Sequence, residues 1–130
     1  MLAKKMTYID YDGNERTETF YFNLSKAEII EMQLSVDGGM EKELQRMIDT
    51  RDVTRLAESF KRVILKAYGE KSPDGKRFIK SKELSEAFMQ TEAYSDLFTE
   101  LMSDANKAAD FMNSIIPKVP DGSLEKIDAK

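Results

Sequence analysis

The chain has 130 residues, 41% of them apolar and 34% charged, with a net charge of −4. That suffices for one domain with a real core, and it excludes a disordered chain and a general nucleic-acid binder, which is usually basic. Cysteine and histidine are both absent, which rules out disulfides and thiolate chemistry and removes the commonest general base and zinc ligand.

No apolar run approaches the length of a membrane span, and MLAKKMTYIDYD has lysines but no apolar region after them, so no signal peptide is expected. The simplest expectation is a cytosolic protein. Residues 4–23 read as a β-hairpin: KKMTYIDY and ERTETFYF are rich in Thr, Tyr, Phe and Ile, and Asp12-Gly13 between them suits a tight turn. A two-residue loop pairs Tyr11 with Asn14, whereas a three-residue loop with a bulge is expected to set Met6 opposite Phe20. The hairpin must pack on helices, or pair through an edge with another copy, because an isolated one is marginal in water.

The remainder has helical spacing. Ser25 with Glu28 forms a capping box and opens a helix to about Val36, which Asp37-Gly38-Gly39 ends. Met40, Leu44, Met47 and Ile48 suit a short second helix. Asp52 is the expected N-cap of a third, in which Val53, Leu56, Phe60, Val63, Ile64, Ala67 and Tyr68 form one stripe, with Gly69 as its C-cap. Ser81 opens a helix carrying Leu84, Ala87 and Phe88. Thr91 restarts it with Tyr94, Leu97, Phe98, Leu101 and Met102. Asp104 caps a last helix with Ala105, Ala108, Ala109, Met112, Ile115 and Ile116, closed by Pro117. The expected fold is α+β, mainly α: an N-terminal hairpin and a compact bundle of five or six helices. One domain spans 1–117, with 24–116 helical, and 118–130 form a flexible polar tail.

Two stretches imitate ligand sites. AYGEKSPDGKRFIKS has the look of a phosphate loop, but five residues separate Gly69 from Gly75 where a Walker A loop has four, and Arg77 stands where Ser or Thr would place a hydroxyl on magnesium. A connector is expected instead: Gly69 a helix cap, Pro73-Asp74-Gly75 a turn. Asp10-Tyr11-Asp12-Gly13-Asn14 resembles half a calcium loop, yet Glu15 holds the place of the required glycine and Tyr21 that of the bidentate carboxylate. No catalytic, cofactor-binding or metal residue is expected, so the chain reads as a binding protein. The candidate contact set is the cationic connector, where Lys71, Lys76, Arg77, Lys80 and Lys82 stand against Glu70 and Asp74. Such a cluster suits an acidic partner surface. The eight methionines are mostly core fillers or, on a surface, adaptable contacts.

The hairpin YIDYDGNERTETFYFNLSKAEIIEM, the segment SVDGG and above all LKAYGEKSPDGKRFIKSKELSEAFMQTEAYSDLFTEL resemble the tail assembly chaperones of long-tailed, siphovirus-type phages and prophages of Gram-positive bacteria. The resemblance runs from about residue 5 to Pro117. It implies a small acidic helical protein of the host cell cytoplasm, without enzymatic activity or cofactor, that is absent from the finished virion. Its implied partners are the tape measure protein, which it keeps soluble, the tail tube (major tail) protein that polymerises around it, and a frameshifted longer form of itself. A homo-oligomer is expected, with no membrane or nucleic-acid partner. The other reading is a small phage or bacterial regulator that binds a protein or nucleic acid through the basic 69–82 loop.

Overall fold

The computed structural model describes residues 1–35 and 53–117. The expected short helix at Met40–Ile48, the Asp52 cap and the polar tail lie outside the described residues. The hairpin consists of β1 (Leu2–Ile9) and β2 (Glu15–Phe22). Among the described residues, five helices follow: α1 (Lys26–Ser35), α2 (Val53–Ala67), α3 (Lys82–Met89), α4 (Glu92–Ser103) and α5 (Ala105–Ile115). Two strands interrupt them, β3 (Tyr68–Lys71) and β4 (Phe78–Ile79). The α+β, mainly helical class therefore holds, and the hairpin is not a lone pair. It belongs to a four-stranded antiparallel sheet in the order β1-β2-β3-β4.

This corrects the reading of Tyr68 and Gly69 as a helix end. The open edge of β2 offers unpaired backbone groups, and α2 runs straight into a strand that takes them: Tyr21 pairs with Gly69 and Phe22 with Tyr68. Asn23 N donates to Ala67 O at 2.8 Å, closing the ladder onto the end of α2. Gly69 is buried in β3. A Cβ there would lie 2.7 Å from both the Ile79 carbonyl oxygen and the Phe78 ring. Glycine is required because β4 approaches too closely for a side chain.

The hairpin register differs from both expected ones. Asp10 N donates to Asn14 O, Gly13 N donates to Asp10 O, and Gly13 takes φ 83°, so the loop is the three residues Tyr11-Asp12-Gly13. Met6 consequently pairs with Glu18. The Asp10 carboxylate organises this turn. It accepts from the amides of Asp12 and Asn14 at 2.9 Å each and from Arg16 Nε at 2.6 Å. The Arg16 hydrogen bond, then that from Asn14, holds its pKa below the ordinary carboxylate value.

Strand alternation places Met6 and Tyr8 of β1 and Phe20 and Phe22 of β2 on one buried face, while Ala3, Lys5, Thr7 and Ile9 are exposed on the other. Phe60, Val63, Ile64 and Ala67 of α2, Phe88 of α3, Ala93, Leu97 and Leu101 of α4, and Ala108, Phe111 and Ile115 of α5 complete the core. Most of the expected stripe is there, but Val53 is exposed, as are Ala105, Ala109 and Ile116. Aromatic rings join the layers. The Phe88 and Tyr68 rings stack at 4.3 Å between centroids, and Phe20, Phe22 and Tyr94 surround Phe88 at 5.2, 5.7 and 5.7 Å. Leu24 N donates to Ile115 O at 2.9 Å, tying the exit of β2 to the end of α5.

Gly69→Ala tests the β3 assignment. It should destabilise the fold by about 1–3 kcal/mol in chemical denaturation, as overpacking does. A neutral result would mean that β4 does not lie against β3 as described.

Candidate functional site

The cationic connector is a built hairpin. Its tip is a turn in which Gly75 N donates to Ser72 O at 2.9 Å and Gly75 takes φ 75°. The Ser72 hydroxyl is buried beneath it, donating to Asp74 Oδ1 at 2.7 Å and accepting from Arg77 N at 3.0 Å. The Lys76 amide caps the same carboxylate oxygen at 3.0 Å. That bond, then the one from Ser72, lowers the Asp74 pKa. Asp74 thus serves as the internal acceptor of its own turn, as an Asx residue does.

The five expected contact residues do not behave alike. Lys71, Lys76, Arg77 and Lys82 are exposed, and Lys82 Nζ stands 3.8 Å from Glu86 one helical turn on. Lys80 instead turns inward. Its ammonium donates to the Asn23 carbonyl at 2.7 Å and to both Glu28 oxygens at 2.8 and 2.7 Å, crossing from β4 to the start of α1. Glu28 is the acid of the capping box: it accepts from Ser25 N at 2.9 Å while Glu28 N donates to Ser25 Oγ at 3.1 Å. Partial burial pushes the Glu28 carboxyl up, but the hydrogen bonds from Lys80 and the Ser25 amide outweigh it, and its pKa lies below the ordinary value. Lys80 therefore joins the sheet to α1, and the cation surface is formed by the other four.

A second surface went unrecognised in the sequence. Tyr94, Phe98 and Met102 recur along α4 beside the buried row Ala93, Leu97 and Leu101, and they are only half-buried. With Met89, the hairpin-tip residue Tyr11 and polar neighbours that include Gln90, Glu92, Ser95 and Thr99, they line an open groove of about 590 Å³. Tyr11 is 75% exposed, and the Glu92 carboxylate beside it at the mouth of the groove raises the phenol pKa. The available signal was the width of the α4 apolar stripe, which carries two adjacent rows where packing on one layer needs one.

Among the described residues no group of three or more acids is placed to hold a metal ion, and no helix is long and apolar enough to cross a membrane. The described residues thus carry two distinct surface features, a groove with an aromatic and methionine wall and a cationic hairpin. A family model described as phage tail assembly chaperone matches residues 1–123, and the chain belongs to that family. No curated protein and no solved structure matches the chain significantly.

The Lys80 geometry yields a prediction. Lys80→Ala should destabilise the fold by about 1–3 kcal/mol, the cost of losing charged hydrogen bonds in a partly buried place, while Lys76→Ala and Arg77→Ala should stay within about 0.5 kcal/mol. Because the folded pKa of Glu28 is depressed, its contribution is fully present above the unfolded value of about 4.3 and is lost as pH falls through the lower folded value. The stability difference between the parent and Glu28→Gln should shrink over that acidic range in denaturation series at several pH values.

Proposed function

We propose that this protein is a non-enzymatic assembly factor that binds the tape measure protein of a siphovirus-type phage or prophage of a Gram-positive host. It keeps that protein soluble in the host cytoplasm while the tail tube protein polymerises around it, and it is absent from the finished virion. Its partners are the tape measure protein, the tail tube protein, further copies of itself and a longer, frameshifted form of the same chain. The observation that carries this reading is the groove of Tyr94, Phe98, Met102 and Met89. An open groove whose aromatic and thioether side chains stand among polar ones suits an amphipathic helix, and methionine adapts to a partner whose contacts change along its length. The exposed cations Lys71, Lys76, Arg77 and Lys82 add an electrostatic contact that speeds encounter with acidic segments.

Co-expression with tape measure fragments tests the reading. The parent chain should hold a fragment in the soluble fraction and co-purify with it. Phe98→Asp should abolish capture without loss of helical signal, since Phe98 lies outside the buried row. Substituting the four exposed cations with alanine should slow association at low salt and matter little at high salt. Unchanged capture by Phe98→Asp would remove the groove from the proposal. Capture of nucleic acid in place of tape measure fragments, lost in the cation variant, would favour the regulator.

A further inference from the structure

The outer side of β1 has no strand beside it among the described residues. Asp10 and Asn14 form a backbone-bonded pair at the turn. In an antiparallel ladder such pairs alternate, so the even-numbered residues of β1 direct their backbone groups to β2. The odd-numbered Ala3, Lys5, Thr7 and Ile9 direct theirs away, and no strand covers them among the described residues. All four are exposed. An edge of this length is normally guarded by charge, proline or a bulge. Here the outward row carries one charge, Lys5, and β1 has neither proline nor bulge.

We infer that β1 pairs antiparallel with β1 of a second copy about a two-fold axis at Met6, joining two four-stranded sheets into one continuous sheet. In this register Ala3 lies opposite Ile9 of the second copy and Lys5 opposite Thr7, both as backbone-bonded pairs. Lys4 faces Tyr8, and Leu2 faces Asp10. No lysine lies directly opposite a lysine, the two copies' Lys5 standing only on the diagonal, and the strand is paired from Leu2 to Asp10. Sliding by two residues in one direction sets Lys5 directly against Lys5, which like-charge repulsion disfavours. Sliding the other way leaves Leu2 and Ala3 without partners. Among self-pairings, avoiding directly opposed lysines and keeping Leu2 and Ala3 paired favours this register, and a two-fold arrangement of two copies satisfies both open edges at once. This inference rests on the self-association in the proposed function, and not on which tail protein is bound.

Sedimentation and cross-linking of the full chain test it. The parent should self-associate at micromolar concentration, and Thr7→Pro, which deletes one outward donor per copy, should weaken association at least about tenfold, a loss of about 1.4 kcal/mol. Since proline could also disturb the hairpin, a second readout uses the absence of native cysteine. Ala3→Cys with Ile9→Cys should yield a disulfide-linked dimer on mild oxidation, whereas either single variant should not, because like positions lie roughly 20 Å apart along the paired strands. Rapid cross-linking of a single variant would overturn the register. Association of the parent without cross-linking of the double variant would overturn pairing through β1 while leaving self-association standing. A strict monomer would overturn both.

Discussion

The end of β2 is the constraint on which the rest depends. Phe22 is fully buried, and its backbone pairs with Leu2 on one side and Tyr68 on the other. Its ring lies 5.7 Å from Phe88 and 5.3 Å from Phe111, so one residue joins the sheet to α3 and α5. The next two residues extend the tie through backbone bonds to Ala67 and Ile115, the last residues of α2 and α5. A two-stranded hairpin cannot hold itself in water. Here it need not, because its base is clamped from three directions and only its tip, with Tyr11, projects freely enough to flank the groove.

That clamp explains the division of the surface. Burying the Met6, Tyr8, Phe20 and Phe22 face consumes the inner rows of the helices, and the second apolar row left over on α4 forms one wall of the groove. The β3–β4 hairpin must bring a backbone hard against Gly69, and Lys80 fixes its far end to α1. Lys71, Lys76 and Arg77 are therefore carried on a hairpin that the sheet and the Lys80–Glu28 pair hold at both ends.

Much of this was legible in the sequence, for local reasons. The capping box at Ser25 and Glu28, and the caps Ser81, Thr91 and Asp104, accept amides of their own first turns as their chemistry dictates. Phe60, Val63, Ile64 and Ala67 of α2 follow from spacing, whereas the buried Ser59 lies off the stripe and Val53 on it is exposed. What escaped was nonlocal. β3 and β4 are four and two residues long, too short to show alternation, and they form because β2 offers an edge that no local pattern announces. Lys80 looks like its neighbours until Glu28, fifty-two residues earlier, is placed beside it. In α5 the spacing points to Met112, but its neighbour Phe111 is the residue that meets Phe22. The hairpin loop length was foreseen as an option, but its pairing followed from Asp10 accepting the Asn14 amide, which shifts Met6 to Glu18.

Native-state hydrogen exchange at the end of β2 tests the central claim most directly. If the clamp is the cooperative centre of the fold, the amides of Asn23 and Leu24 exchange only through global opening, with the same free energy and denaturant dependence as the buried amides of Val63 and Ile64 in α2. Exchange of Asn23 and Leu24 through a separate, lower-energy opening while α2 stays protected would show that the sheet detaches from the helices as its own unit, and would contradict the account.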